Sequence, residues 1–190
     1  IKTLSWPWPA SPIDSNEWLR RFSTLPLLEQ PGEAWRYHTG IQVLGVLIER
    51  ATGTSLDQAM RTCLFEPVGM PDTSFSLRPG TEERLATAYL PDDTTGKLIP
   101  FDSRESSEWV KPAMENAAGG LLSTMNDVWA FVQMLRDNGA SDGRTVLSAE
   151  SVSAMTRNHL TAGQRAEATL FLGSGGWGFG MAAPVSGSEA

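Results

Sequence analysis

The segment 39–53 constrains the fold more than any other part of the chain. Its apolar residues recur at helical spacing and cover most of a helix circumference: Ile41, Leu44, Val46, Leu47, Ile48 and Ala51. Gly53 follows them and suits the left-handed position at which many helices end. A helix that is apolar nearly all round is normally buried. The sequence therefore predicts a long helix enclosed by other elements.

A short helix is predicted ahead of this one, after an extended arm. Residues 1–15 include three prolines, and because proline fixes φ and lacks a backbone donor, no regular structure is expected in this arm. Asp14 or Ser15 can cap a helix that runs to about Phe22 and ends before Leu25-Pro26. Its apolar side consists of Trp18, Leu19 and Phe22.

Another helix is predicted directly after Gly53. Ser55 and Gln58 have the spacing of a capping box, and apolar residues follow at helical intervals until Pro67. These residues are Leu56, Ala59, Met60, Cys63 and Leu64. Cys63 is thus expected to face the core, and as the only cysteine it cannot form an internal disulfide. Residues 16–70 together make up the predicted helical part.

Residues 71–116 are predicted to be a long excursion of loops with one hairpin. The segment is rich in Pro, Asp, Ser, Thr and Gly, which favour turns. Residues 85–90 and 97–101 are predicted to be short strands on either side of the turn sequence DDTTG at 92–96.

Residues 117–160 are predicted to return to helix. One helix begins at Ser123 or Thr124 and ends at Asn138-Gly139. The expected inward residues are Val128, Phe131 and Leu135 in this helix, and Val152 and Met155 in the next, which Ser148 caps. Residues 161–190 are expected to be a loop entering a strand that finds no partner. The whole chain is interpreted as a single partial domain.

Composition excludes several functional classes. The 190 residues contain 15 Lys+Arg and 22 Asp+Glu, a net charge of −7, whereas nucleic-acid-binding domains need a basic face. No apolar run approaches the ~18 residues that a membrane span requires. The sequence therefore predicts neither a nucleic-acid partner nor a membrane span.

The sequence also lacks the motifs typical of metal-binding and phosphate-binding sites. His38 and His159 are far apart and neither has the spacing of a metal-ligand motif. The glycine-rich segment 173–180 lacks the Lys and Ser/Thr of a phosphate-binding loop. No metal ion and no other cofactor is expected.

Tyr37 is the residue of most chemical interest. It lies just before the predicted long helix, where backbone N–H groups and the helix dipole favour negative charge, so its phenolate could accept a proton. Thr39 offers a hydroxyl two residues further on. The alternative is structural: both residues cap the helix and pack under the loop.

Several ordered motifs resemble one known family, the serine β-lactamase-related proteins. They are YHTG at 37–40, VLGVLIERATG at 43–53, FEPVGMPDTSF at 65–75, AAGGLLSTMND at 117–127 and GWGFG at 176–180. The family includes class C β-lactamases, DD-peptidases and esterases of the same fold. The resemblance, over roughly residues 17–182, implies a helix-rich α+β fold: the helical subdomain portion of the β-lactamase/transpeptidase-like fold with a few short strands and most of the antiparallel sheet missing.

The resemblance also implies a mechanism and site residues. In such enzymes the serine of a Ser-x-x-Lys motif attacks a carbonyl, and the tyrosine of Tyr-x-Asn moves protons together with the lysine. Tyr37 takes the position of that catalytic tyrosine. Thr39 takes the position of the Asn as a substrate-binding residue, a departure that weakens the case for a β-lactam substrate. Tyr89 resembles an aromatic residue that lines the substrate cleft and is taken as a second substrate-binding residue, with core or surface packing as the favoured alternative.

Two family motifs are absent from the 190 residues. No serine is followed three positions later by lysine, since the lysines are Lys2, Lys97 and Lys111. The triplet His38-Thr39-Gly40 has the form His-x-Gly of a late family strand, but it directly follows Tyr37 and belongs to the tyrosine motif. The chain is therefore expected to be a central fragment of a serine hydrolase that is inactive by itself.

The expected activity of the parent protein is hydrolysis of an ester, a D-amino-acid peptide or a β-lactam through an acyl-serine intermediate. Its partners would be a small-molecule or peptide substrate and the remainder of the parent chain. One alternative is a non-catalytic β-lactamase-like module that binds a peptidoglycan-like or protein partner. Another is a free-standing helical domain that forms a homodimer. Family members are often exported, but this sequence leaves the compartment open.

Overall fold

Helices dominate the part of the chain that the computed structural model describes, residues 12–104, 107–110 and 112–185. The α-helices are α1 (Ser15–Phe22), α2 (Thr39–Thr52), α3 (Leu56–Met60), α4 (Glu66–Val68), α5 (Met125–Arg136), α6 (Ala149–Thr156), α7 (Ala162–Glu167) and α8 (Thr169–Leu172). A π-helical turn, Arg61–Phe65, joins α3 to α4, and 3₁₀ turns lie at Glu82–Arg84 and Glu108–Val110. Most of the predicted arm, residues 1–11, lies outside the described residues.

The strands pair two by two in antiparallel hairpins. They are β1 (Ala88–Pro91) with β2 (Leu98–Asp102), β3 (Ala140–Ser141) with β4 (Arg144–Thr145), and β5 (Gly176–Trp177) with β6 (Ala182–Ala183). The first hairpin confirms the predicted one. The third shows that the expectation of an unpaired late strand was wrong, because the chain turns at 178–181 and pairs with itself.

The predicted helix starts are confirmed by their caps. The side chain of Asp14 accepts a hydrogen bond from the Glu17 backbone N–H at 2.8 Å, and Ser55 and Ser148 cap α3 and α6 in the same way. Thr124 caps α5. These contacts span three residues, so the local sequence is sufficient to specify them.

Two apolar clusters hold the helices together. The first lies between the α3–α4 segment and α5; its buried members are Leu56, Phe65, Val68, Met70, Phe75 and Met134. The second fastens α1 to α2 through Trp18, Val46 and Met114. The Trp18 and Phe22 rings stack within α1, with centroids 5.0 Å apart. The apolar side predicted for α1 thus faces the second cluster.

Burial of α2 on all sides was a wrong prediction. Its buried residues are Gln42, Gly45 and Val46, which form one face. Gly45 allows close packing, because a Cβ at this position would lie 2.8 Å from the Ala117 Cβ. The opposite face, with Ile41, Leu44 and Leu47, is exposed. Part of this face, Ile41 and Leu44, lines an open cleft.

Cys63 is exposed, contrary to the prediction that it faces the core. The prediction assumed 3.6 residues per turn beyond Met60. The wider π-helical turn at Arg61–Phe65 shifts the inward position along the chain, so Phe65 is buried in the first cluster instead. A single wide turn therefore reverses the side on which the thiol lies.

Helix α5 is packed through Met134, with Phe131 and Leu135 against the first cluster as predicted. Val128, predicted to lie inward, is exposed. Its place near the helix start is taken by buried Asp127, whose carboxylate accepts hydrogen bonds from the Asp72 N–H at 2.8 Å and the Thr73 hydroxyl at 2.7 Å. These bonds join α5 to the segment after α4.

Candidate active site

The loop between α1 and α2 carries the candidate catalytic residue. Its 29–36 portion is braced by a hydrogen bond from the Gln30 N–H to the Glu33 carboxylate at 2.8 Å and by an ion pair between Arg36 and Glu29. The Gln164 side chain of α7 donates to the Gly32 carbonyl oxygen at 2.8 Å. Contacts within the loop and a hydrogen bond from α7 therefore fix the position of this loop.

A γ-turn connects the loop to α2. Its central residue, His38, has φ 83° and ψ −64°, and the Thr39 N–H donates to the Tyr37 carbonyl oxygen at 3.1 Å. Positive φ is unusual for a residue with a Cβ. The first N–H of α2 is used by this turn, and the Tyr37 ring projects beside the helix start with 48% of its surface exposed.

Tyr37 borders an apolar cleft of about 650 Å³. Its walls come from the loop, α2, the segment after Asn116 and the third hairpin; they include Trp35, Tyr37, Ile41, Leu44, Ala117, Ala118, Trp177 and Phe179. Two further lining residues carry ionisable groups. The Arg36 guanidinium is paired with Glu29, which raises the pKa of Arg36, and burial lowers the pKa of His38. The cleft thus presents apolar surface with one paired charge.

Four aromatic rings meet around Tyr37, and three of them line the cleft while Phe171 does not. Tyr37 and Phe171 lie 4.2 Å apart between centroids, Trp35 and Trp177 5.2 Å, and Tyr37 and Trp177 5.8 Å in an edge-to-face arrangement. Phe171 also contacts Trp35 at 5.5 Å and Trp177 at 5.9 Å. These spacings are typical of favourable aromatic pairs. We call Trp35, Tyr37, Phe171 and Trp177 the aromatic cluster.

The structure groups the predicted site residues only in part. Tyr37 lies in the cleft, and Thr39 adjoins it as the first residue of α2, half-buried and outside the cleft lining. Tyr89 lies on the exposed β1–β2 hairpin and does not line the cleft. The sequence analysis missed Trp35, Trp177 and Phe171. Trp177 stands in a recognised motif, whereas nothing in the local pattern distinguishes Phe171.

A second cleft, of about 440 Å³, lies between the first hairpin and the start of α5. Its arginines are engaged: Arg84 forms two hydrogen bonds with Asp72, at 2.7 and 2.6 Å, and Arg78 donates to the Thr73 carbonyl oxygen at 3.2 Å. The cleft beside Tyr37 is therefore the stronger candidate for chemistry.

Metal ligands and membrane-spanning helices are two further features that bear on the function of the described residues. Among those described, no three His, Cys, Asp or Glu side chains are grouped so as to hold a metal ion. Nor does any helix in the described ranges have the length and apolar character needed to cross a bilayer.

Residues 3–187 match the model of the family described as Beta-lactamase, so the chain belongs to the β-lactamase family. It is 38% identical to an uncharacterized protein of Mycobacterium tuberculosis over 167 residues, 86% of this chain and 41% of that protein. It is 28% identical to Esterase EstB of Burkholderia gladioli over 91% of this chain and 44% of the esterase. The chain thus spans about two fifths of the length of these curated relatives.

A solved structure shows the same fold. EstCE1, described as a hydrolase with promiscuous acyltransferase activity, superposes with a TM-score of 0.74 at 23% identity, covering 94% of this chain and 48% of EstCE1. The helix-rich α+β architecture predicted from the motifs is confirmed, as a part of the β-lactamase/transpeptidase-like fold.

Proposed function

We propose that this chain forms the tyrosine side of the active site in a serine hydrolase. The complete enzyme would cleave an ester, a D-amino-acid peptide or a β-lactam through an acyl-serine intermediate. The placement of Tyr37 carries the proposal: its ring is half-exposed, it follows a braced loop, and it borders the largest apolar cleft described above. Membership of the β-lactamase family and similarity to an esterase support the reaction class.

The proposed role of Tyr37 is proton transfer. As the nucleophilic serine adds to the substrate carbonyl, its hydroxyl proton passes to the tyrosine–lysine pair, and the same proton then reaches the departing alcohol or amine. In the second step a water molecule gives a proton to the same pair and attacks the acyl carbonyl. The ester bond to the serine then breaks, which releases the acid and returns the proton to the serine oxygen. Thr39, next to Tyr37, is proposed to contact the substrate through its hydroxyl.

We further propose that the 190-residue chain does not turn over substrate. It contains no serine followed by x-x-Lys, and the members of such a catalytic unit act together rather than additively. Tyr37 without an acylating serine has no proton to accept.

Active-site labelling tests both proposals. The 20.6 kDa chain and a longer polypeptide that joins it to a Ser-x-x-Lys element are incubated with a fluorophosphonate or benzylpenicillin, and intact masses are recorded. We expect no adduct on the chain and one on the longer polypeptide. Tyr37→Phe should slow labelling of the latter by about 10²- to 10⁴-fold, the usual contribution of general acid–base catalysis.

Tyr89→Phe is the matched control, because Tyr37 and Tyr89 are the only two tyrosines of the chain. It should label at the unchanged rate. Equal labelling rates for the two variants would refute the role of Tyr37. A stoichiometric adduct on the 190-residue chain would refute its proposed inactivity.

A further inference from the structure

Both backbone polar groups of Trp177 are bonded to two consecutive residues that follow α6. The Trp177 N–H donates to the side-chain oxygen of Asn158, Oδ1, at 3.2 Å, and the His159 N–H donates to the Trp177 carbonyl oxygen at 2.9 Å. The first of these bonds is made by a side chain, so a substitution can remove it. Asn158 is therefore the residue through which the attachment of Trp177 can be tested.

The amide group of Asn158 is matched to its partners on both sides. Its Oδ1 also accepts a hydrogen bond from the Leu160 N–H at 3.0 Å, and its Nδ2 donates to the Leu160 carbonyl oxygen at 2.9 Å. An oxygen thus faces two N–H donors and an NH₂ group faces one carbonyl acceptor. A carboxylate offers no donor and an apolar side chain offers neither group, so only an amide satisfies all three partners.

Gly176, the first residue of the GWGFG motif, lies directly against this amide. A Cβ at Gly176 would lie 2.2 Å from Asn158 Oδ1 and 2.8 Å from Asn158 Cβ, much closer than non-bonded atoms approach. Gly176 is also buried. The absence of a side chain at this position therefore allows strand β5 to reach the Asn158 side chain.

Trp177 connects this attachment to Tyr37. The Trp177 ring meets the Tyr37 ring edge-to-face at 5.8 Å between centroids and lies 5.2 Å from the Trp35 ring. The next helix along the chain, α7, contacts the loop that precedes Tyr37, because Gln164 donates to the Gly32 carbonyl oxygen. Residues 158–164 thus hold both the strand that carries Trp177 and the loop that carries Tyr37.

From these contacts we infer that Asn158 is a positioning residue for Tyr37 and acts through Trp177. The inference rests on the proposed function, in which Tyr37 transfers the proton. Asn158 does not line the cleft, so its effect on the reaction is indirect. Loss of its amide would free the Trp177 N–H, let β5 shift from residues 158–159 and remove the edge contact that limits the tilt of the Tyr37 ring.

Tyrosine NMR on the 190-residue chain tests the contact without any turnover. The chain has two tyrosines, so ring-¹³C labelling gives separate signals for Tyr37 and Tyr89, which Tyr37→Phe and Tyr89→Phe assign. We expect Asn158→Ala to shift the Tyr37 signals, because the Trp177 ring moves relative to them, and to leave the Tyr89 signals in place. Val68→Ala, a truncation in the first apolar cluster and outside the cleft lining, is the destabilised control and should shift neither.

Two further variants change the same contact in different ways. Gly176→Ala pushes the Asn158 side chain aside, so it should reproduce the shift of the Tyr37 signals. Asn158→Asp keeps an oxygen for the Trp177 N–H but turns a second oxygen toward the Leu160 carbonyl, so it should give a smaller shift. It also replaces Asn158→Ala if circular dichroism shows that this variant does not fold. Unshifted Tyr37 signals in the folded variants would overturn the inference.

Labelling of the longer polypeptide with the fluorophosphonate tests the consequence for the reaction. Asn158→Ala should slow labelling by about 10- to 100-fold, since a displacement of about 1 Å in a reacting group can cost that much. In a Tyr37→Phe background the same substitution should have little further effect, because the group through which Asn158 acts has lost its proton.

The outcomes separate the inference from the proposed function. Equal slowing by Asn158→Ala in both backgrounds would assign Asn158 a structural role alone and overturn the inference, while the role of Tyr37 would stand. Equal labelling of Tyr37→Phe and Tyr89→Phe would instead refute the proposed function. The tyrosine spectra would then still decide whether Asn158 positions the Tyr37 ring.

Discussion

The γ-turn at His38 places backbone strain next to Tyr37. A residue with a Cβ at φ 83° is in a sparsely populated conformation that costs about 1–3 kcal/mol. The turn is retained because the Thr39 N–H bonds to the Tyr37 carbonyl and the Ile41 N–H bonds to the His38 carbonyl at 3.0 Å. Strain of this kind is often found where a side chain must be held in a functional position.

Substitutions at His38 should therefore separate the contribution of backbone strain to the free energy of unfolding from the contribution of the side-chain contacts. His38→Val should lower the free energy of unfolding by about 1–3 kcal/mol, because a β-branched residue tolerates positive φ poorly. His38→Gly loses the same imidazole but adopts positive φ without a Cβ, so its loss should be smaller. Urea unfolding measures both. Identical losses would mean that the imidazole contacts, rather than the backbone, determine stability here.

Glu115 gives the fold a pH dependence. Its carboxylate accepts a hydrogen bond from the Asp57 N–H at 2.6 Å, at the start of α3. Burial raises the pKa of Glu115 above its ordinary value of 4.5, an effect that this hydrogen bond opposes but does not cancel. The folded state therefore holds the Glu115 proton more tightly than the unfolded state does.

The sign of the effect follows from proton linkage. Between the unfolded pKa and the raised folded pKa the native state binds more protons, so this residue's contribution to stability falls as pH rises through that window. Glu115→Gln cannot ionise yet still offers an oxygen to the Asp57 N–H. The variant should thus gain stability relative to the original chain as pH rises through the window, measured by urea unfolding from pH 4 to pH 8. A difference that stays constant with pH would contradict the assignment.

At the level of elements, features that rest on contacts between residues close in sequence were easier to predict than features that rest on tertiary packing. The caps at Asp14, Thr124 and Ser148, the left-handed end of α2 at Gly53 and the first hairpin all rest on contacts within a few residues. The buried face of α2 was mispredicted because it depends on what packs nearby. The pairing of β5 with β6 is as local as the first hairpin, and it was mispredicted because the turn at 178–181 was not recognised in the sequence. The same holds for the residues around the candidate site. A local motif identifies Tyr37, whereas the position of Phe171 beside Tyr37 depends on tertiary structure.

The π-helical turn offers a direct test of element geometry. Because it turns Cys63 outward, the native chain should react with one equivalent of 5,5′-dithiobis(2-nitrobenzoate) without denaturant. The stoichiometry is unambiguous, since the chain has one cysteine, and Cys63→Ser should give no reaction. A thiol that becomes reactive only in urea would place Cys63 in the core and remove the wide turn.

At the scale of the whole molecule, the cleft is assembled from segments far apart in sequence. Its lining combines residues 35–44 with residues 177–180. The third hairpin is fixed near α6 by hydrogen bonds from the His159 N–H to the Trp177 carbonyl at 2.9 Å and from the Phe179 N–H to the Met155 carbonyl at 3.2 Å. Gly178 permits this approach, because a Cβ there would lie 1.9 Å from the Met155 carbonyl oxygen.

Gly178→Ala should consequently displace the hairpin that forms one wall of the cleft. We expect it to lower the free energy of unfolding by about 1–3 kcal/mol, as for other overpacked positions, and to reduce the near-ultraviolet circular dichroism of the aromatic cluster. Gly163→Ala, on α7, is the control, since its Cβ would meet nothing nearer than the Thr161 hydroxyl at 4.0 Å. A Gly178→Ala variant with unchanged stability and spectrum would show that the hairpin is free to move.

The hydrogen bond between Gln164 and Gly32 joins residues 132 positions apart. Closing a loop of that length is slow compared with forming a capped helix, so the helices can be in place well before the cleft exists. By the same reasoning, contacts that close last tend to open at the lowest cost. We expect hydrogen exchange to show that the loop between α1 and α2 and the α7–α8 segment open together. Their free energy of opening should be lower than that of α2 and α5. Assembly of the site would then be a separate kinetic event from folding of the helical body.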